Sequence, residues 1–372
     1  MSVLNIDARR AWLISDTHFG VRNNSKEWME IMEDYFFHFL IPLIRSEYRP
    51  GDILIHCGDT FDSRQAINLY VMNRGMEIIE ALAEVLPVYI IIGNHDIFMK
   101  HTNEINSMKL FKHTRNVVVF EKPQLVRFGQ TTGMFLPWIE SASELREFVQ
   151  NPQNQADLLF CHTDVRGISF NRTVKVEEGN EPEVFTNYKQ VYSGHIHYAQ
   201  KHKNIRMLGS PYQLTRSDAG NPKSVWLVDL ETLEEQSWVN THSPKFLRYR
   251  LEWLLEQNLE TIQKMFHNNF VDIHITTQWS LKFPFSVFLE NITGYRKINH
   301  VILTEEGEEK NLDEEDGDME APDSISIVNL IETYIQDLVY TTGIKERLTK
   351  TSLALYHETL RDMEKNNEMI IN

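Results

Sequence analysis

Cysteine is nearly absent from this 372-residue chain: Cys57 and Cys161 are the only two, far apart and each inside an apolar run. That excludes a disulfide framework and a cysteine-rich structural zinc site, and it suits a reducing cytoplasm. No stretch approaches 18 consecutive apolar residues, so no helical membrane span is expected. The opening "MSVLNIDARRAWLISD" lacks a basic segment followed by a long apolar one, so no secretory leader is expected. Basic residues are also in the minority, 37 against 53 acidic, for a net charge of −16. Taken alone, that balance disfavours nucleic acid as a partner. Its location changes the conclusion. The stretch 304–323, "TEEGEEKNLDEEDGDMEAPD", carries −10 of the −16, leaving a body at −6 that retains room for local basic surfaces.

What the chain does have is length for two or three domains and a hydrophobic fraction of 42%. Its first 240 residues repeat one rhythm of short apolar run, polar turn and amphipathic segment. "AWLIS" ends in "DTH", "DILIHC" in "GDTFD", "PVYIII" in "GNHD", "ADLLFC" in "HTD" and "QVYS" in "GHIH". Runs of four to six apolar residues bounded by Gly, Asp or Asn predict strands buried on both faces. Residues 26–46 and 65–86 carry helical spacing, with a kink or break expected at Pro42. The expectation is an α/β domain over 1–242, with "IRMLGS", "SVWLVDL" and "EEQSWVN" as antiparallel strands closing a second sheet. A small α+β module is expected over 243–303, with strands in "RYRLEWL" and "FVDIHITTQ" around a helical "NLETIQKMF". An acidic linker follows at 304–323, and 324–372 reads as two amphipathic helices broken at Gly343. Two such helices cannot bury a core alone, so they are expected to dock on something else.

All five predicted strands end in metal-compatible residues: Asp16 and His18, Asp59, Asn94 with His95, His162, and His195 with His197. Any one of these motifs is ordinary, a tight turn or a hydrogen-bonded histidine. Five in order at the same ends of strands, where α/β sheets gather functional groups, point to one site. Two divalent cations about 3.5–4 Å apart stabilise both the attacking and the leaving oxygen in phosphoryl chemistry. Holding them that close requires a bridging anion. Imidazoles and an amide oxygen then complete each shell without cancelling the metal charge, and mixed nitrogen and oxygen donors favour Mn²⁺, Fe²⁺ or Zn²⁺ over Mg²⁺. Cys161 neighbours His162, but strand alternation turns it the other way, into the core. The pair His195 and His197 is expected to present both rings to one side, with Ile196 facing the core and Gly194 allowing close backbone approach.

The series "DTH…GDTFD…GNHD…H…GHIH" resembles the calcineurin-like metallophosphoesterases. Within them it is most similar to the nuclease subunits of recombination and double-strand-break repair complexes (the SbcD type), above all those of bacteriophages, through "GDTFDSRQAI", "VYSGHIH" and "GSPYQLTRSD". The resemblance is strong over about 10–240. It implies a two-sheet sandwich flanked by helices, with a DNA-contacting cap module and a C-terminal helical pair. It also implies two cations, Mn²⁺ first among candidates. Asp16, His18, Asp59 and His197 would hold one and Asp59, Asn94, His162 and His195 the other, with His95 protonating the leaving oxygen. The implied activity is exonuclease and endonuclease cleavage of DNA in recombination, repair and replication. The implied partners are DNA, a second copy of the chain, and an SMC-like ABC ATPase bound through the C-terminal helices.

Asp62 stands where many relatives carry histidine and is assigned no catalytic role, and Asp96 either orients His95 or caps a helix. Basic clusters at 100–115 and 201–206, and Arg216 with Lys223, are candidates for gripping phosphates, set against ordinary solvated faces. Three rivals are weighed. A protein phosphatase would carry "GDxVDRG" and "GNHE". A phosphoesterase of small phosphodiesters or cyclic nucleotides shares "GNHD" but has no need for the C-terminal third. A metal-free scaffold would not fill every ligand position.

Overall fold

The computed structural model describes residues 2–99, 101–276, 285–303, 345 and 347–356. The chain divides into two units, Met1–Met319 and Glu320–Asn372. In the second, residues 345 and 347–356 are helical. The predicted linker 304–323 and most of the predicted helical segment 324–372 lie outside the described residues.

The first unit is built on two large sheets. Its strands are β1 Val3–Asn5, β2 Arg10–Ile14, β3 Asp52–His56, β4 Val88–Ile91, β5 Ile97–Met99, β6 Thr102–Asn106, β7 Val117–Phe120, β8 Gln124–Phe128 and β9 Thr131–Leu136. They continue with β10 Leu158–His162, β11 Gln190–Gly194, β12 Gln200–His202, β13 Ile205–Met207, β14 Ser224–Asp229 and β15 Glu235–Val239. One sheet has the order β15-β14-β2-β3-β4-β7 and the other β1-β8-β9-β10-β11-β13-β12. The apolar runs become central strands because both of their faces are covered. In β2, Trp12 and Ile14 face a helical layer containing Trp28, Met32, Ile78 and Leu82. Ala11 and Leu13 alternate into the layer between the sheets, where Ile53, Ile55, Phe135, Leu158 and Phe160 meet them. On the far side, Leu159, Cys161 and Val191 pack against Leu145 and Val149. The result is a two-sheet sandwich flanked by helices.

Three expectations are corrected. The late strands do not close one sheet together: β13 pairs parallel with β11, whereas β14 and β15 join the sheet of β2. Ile205 and Met207 bury in the β10–β11 core while Val225 and Leu227 bury beside Trp12, so hydrophobic facing separates them. Pro42 does not break its helix. A wide π-turn at Phe36–Leu40, closed by Ile41 N–H to the Phe36 carbonyl, precedes Pro42, and the chain continues helically through Ile41–Glu47. "RYRLEWL" is strand only to Arg250, since Leu251 and Leu254 both bury at helical spacing in Leu251–Leu255.

A third, parallel sheet holds β16 Phe246–Arg250, β17 Phe270–Thr276 and β18 Lys297–Leu303. Its own core includes Leu254, Ile262, Phe266 and Ile273. Trp28 stacks on Phe270 at 5.4 Å and on Phe246 at 6.1 Å, joining this sheet to the helical layer. A buried Arg216–Asp272 ion pair at 2.9 Å adds a second tie.

Candidate metal centre

The carboxyl ends of β2, β3 and β4 in one sheet meet those of β10 and β11 in the other. The backbone there is unusual. Asp16 (φ 54°), His18 (φ 46°), Asp59 (φ 57°) and His195 (φ 85°) all lie in the left-handed region. Each such residue costs on the order of 1–3 kcal/mol unless its surroundings fix it. They do. Asp16 Oδ1 accepts the His195 N–H at 2.9 Å across 179 residues. The Asp96 carboxylate accepts the N–H groups of Asp59 (2.9 Å), Thr60 (3.0 Å), Phe61 (3.3 Å) and Gly93 (2.9 Å). Asp96 therefore neither orients His95 nor caps a helix; it ties the β3 and β4 loops together. Lys223 holds the His197 carbonyl at 2.6 Å.

At Gly194 the second sheet packs tightly against the first. A Cβ there would lie 1.9 Å from Ser15 Oγ and 2.5 Å from the Cys57 carbonyl oxygen. Gly194→Ala is expected to destabilise the fold by about 1–3 kcal/mol through overpacking, measured by urea unfolding. An unchanged midpoint would show that the two strand ends yield freely.

The predicted side chains converge in two groups, with His18, Asp59 and His95 forming a third set that overlaps them. Asp16, His18 and His197 offer donor atoms within 4.8 Å of one another, and so do Asp59, His162 and His195. His18 Nε2 and His197 Nε2 are 3.0 Å apart. Asn94 Oδ1 lies 2.8 Å from both His162 Nε2 and His195 Nδ1. Asp59 Oδ2 stands between the groups, 3.2 Å from His162 Nε2 and 3.6 Å from His18 Nε2. The paired histidines thus divide, one to each group, but not by strand alternation as expected. β11 ends at Gly194, and the left-handed turn at His195 aims the rings. Ile196 does bury in the core, as does Cys161.

Other contacts fix which nitrogen faces inward. His162 Nδ1 bonds the Cys57 carbonyl at 2.7 Å, leaving Nε2 toward Asp59 and Asn94. His18 Nδ1 bonds Asp62 Oδ1 at 3.0 Å, leaving its Nε2 toward Asp59 and His197. His195 Nε2 lies 2.8 Å from Asp164 Oδ1. His95 donates its backbone N–H to Asp59 Oδ1 at 2.8 Å, and its Nδ1 bonds the Asp62 carbonyl at 2.6 Å. Asp62 therefore orients two histidines, one through its side chain and one through its backbone. The sequence flagged Asp62 only as a departure. Asp62→Ala is expected to weaken metal affinity about 10–100-fold, read by calorimetric titration, and unchanged affinity would remove its orienting role.

The donor set fits two divalent cations. Asp16 Oδ2 is buried with no hydrogen-bond partner, and the inward imidazole nitrogens, the Asn94 amide oxygen and the Asp59 carboxylate crowd together at 2.8–3.6 Å. The opposite turn of the Asn94 amide would satisfy these acceptors with Nδ2 and set Oδ1 2.9 Å from Arg64 Nη2. A cation at the same point favours the inward oxygen. The field agrees. Burial opposes charge on His18, yet the Asp62 bond and the carboxylates of Asp59, Asp62 and Asp16 raise its pKa to about 9. Burial likewise opposes charge on His162, and Asp59 and Asp16 still raise it to about 9. Buried carboxylates without enough cationic partners call for positive charge.

Two of the basic clusters are paired with acidic side chains. Arg216 is spent on Asp272 and Lys223 on Asp218, both buried. In 201–206, Lys201 and Arg206 pair with Glu235 and Lys203 with Glu183.

A sandwich of two sheets whose strand ends present two histidine–carboxylate groups joined by one aspartate defines a dinuclear metallophosphoesterase centre. The chain belongs to the calcineurin-like phosphoesterase family, whose profile matches residues 9–276. It is 33% identical over 182 residues to exonuclease subunit 1 of Enterobacteria phage T4, covering 48% of this chain and 53% of that protein. It is 24% identical over 192 residues to the DNA double-strand break repair protein Mre11 of Sulfurisphaera tokodaii, covering 50% of this chain and 48% of that one. The chain thus spans about half the length of each of these relatives. The nuclease-subunit resemblance read from the motifs is borne out.

Proposed function

We propose that this chain is a two-metal-dependent DNA nuclease. The observation that carries the reading is Asp59, a single buried carboxylate within reach of both histidine groups and bonded to His95. In this reading Asp16, His18, Asp59 and His197 hold one cation and Asp59, Asn94, His162 and His195 the other, with Mn²⁺ the preferred ion. When bound, the cations would polarise the phosphoryl oxygens and offset the negative charge that develops during hydrolysis. The chain's own residues do the rest. Asp62 and Cys57 fix the imidazole tautomers, and Asp96 fixes the loops. His95, held by the Asp62 carbonyl through Nδ1, presents Nε2, which in the imidazolium form protonates the leaving oxygen.

DNA as the substrate is supported by the kinship with a phage exonuclease subunit and a double-strand break repair protein. From the motif resemblance we assign 243–303 to DNA contact and 324–372 to an SMC-like ATPase partner, with 304–323 as tether. The nuclease would work as a homodimer in the cytoplasm, in line with two free, buried cysteines. No described helix is long and apolar enough to cross a membrane. The test is cleavage of end-labelled linear duplex in Mn²⁺, abolished by chelator. Hydrolysis of a small phosphodiester with intact DNA would replace this reading with that of a small-substrate phosphodiesterase. Removal of 324–372 should abolish co-purification with the ATPase while sparing cleavage of simple substrates.

A further inference from the structure

A second group of metal-type donors lies apart from the residues of the phosphoesterase centre. Asp34 and His38 sit one turn apart where the helix Lys26–Tyr35 passes into the π-turn Phe36–Leu40. His242 comes from the segment that leaves β15 and leads into β16. His38 Nδ1 is 2.8 Å from Asp34 Oδ1 and His242 Nε2 is 2.7 Å from Asp34 Oδ2. One donor atom from each of the three residues lies within 4.8 Å of the others. All three are rooted in ordered structure. Asn240 Oδ1 accepts the His242 N–H at 2.9 Å, while Asn240 Nδ2 donates to the Pro211 carbonyl at 2.9 Å. The His242 ring also stacks on Phe39 with centroids 6.5 Å apart. The group remains open to solvent, with the His38 side chain 69% exposed.

We propose that Asp34, His38 and His242 form a transition-metal site, taken by Zn²⁺, that clamps the root of the third sheet to the helical layer. Two imidazoles and one carboxylate are the donors of an open tetrahedral zinc site, with the fourth position left to water. Mg²⁺ and Ca²⁺ prefer all-oxygen shells, and Mn²⁺ stands lowest among the first-row divalent ions for such donors. The site therefore discriminates for zinc even where Mn²⁺ serves the other centre. Without the ion, each ring can donate one N–H to Asp34; on binding, that proton sits on the ring's other nitrogen and all three side chains become ligands. Because His242 lies four residues before Phe246, where β16 begins, an occupied site restrains the chain that positions the third sheet.

The test uses the full chain in an Asp16→Asn background, with and without His38→Gln or His242→Gln. Glutamine keeps a hydrogen bond to Asp34 but is a poor zinc ligand. Equilibrium dialysis against Zn²⁺ followed by elemental analysis is expected to show one fewer zinc per chain in each glutamine variant. Hydrogen exchange over 240–246 should slow on adding zinc only when both histidines are present. Equal zinc counts in all three proteins would overturn the proposal and leave the trio as a hydrogen-bonded clasp. A lost zinc without any exchange difference would also overturn it, as an adventitious ion only. Failure of the phosphoesterase reading would not affect either readout.

Discussion

Asp59→Asn is expected to lower phosphodiester hydrolysis by at least about a thousandfold, or roughly 4 kcal/mol of barrier. The amide keeps the size of the side chain and an oxygen that can still accept the His95 N–H, now 2.8 Å from Oδ1. What disappears is the negative charge between His162 Nε2 at 3.2 Å and His18 Nε2 at 3.6 Å. A neutral oxygen cannot offset the repulsion of two divalent ions held about 4 Å apart. Calorimetric titration with Mn²⁺ should therefore lose one binding event along with activity. A variant retaining a tenth of wild-type hydrolysis would remove Asp59 from the bridging role.

His95→Gln should cut the rate by about 10²–10⁴-fold while leaving the metal stoichiometry unchanged. His95 is not among the proposed ligands, and its ring is fixed by the Asp62 carbonyl rather than by a carboxylate. Burial also lowers its pKa, so the imidazolium form that donates from Nε2 is a stronger acid than an ordinary protonated histidine. The discriminating measurement compares leaving groups. A nitrophenolate departs without protonation, so an aryl diester should be hydrolysed almost as fast by the variant as by wild type. A DNA or alkyl diester should carry the full loss. Equal losses on both substrates would show that His95 shapes the site rather than donating a proton.

The roles of Asp62 and Asp96 mark the limit of reading from motifs. Both sit in motifs visible along the chain, yet Asp62 lies 44 residues from His18 and Asp96 37 residues from Asp59. Sequence spacing does not encode which distant N–H or ring nitrogen a carboxylate will meet. The same holds for Arg216 and Lys223, which read as phosphate contacts and are buried ion pairs, because their acidic partners arrive through packing.

By itself the sequence determined the central strands, through apolar runs long enough to bury both faces, and the identity of the converging side chains at their ends. Local chemistry suffices for that: burial periodicity selects strands, and polar turns must follow them. Only the tertiary structure decided that the five ends come from two sheets, β2, β3 and β4 in one and β10 and β11 in the other. It also decided that left-handed turns at Asp16, His18, Asp59 and His195 divide the donors into two groups. Those turns are costly alone and persist because contacts such as Asp16 to His195 close across 179 residues.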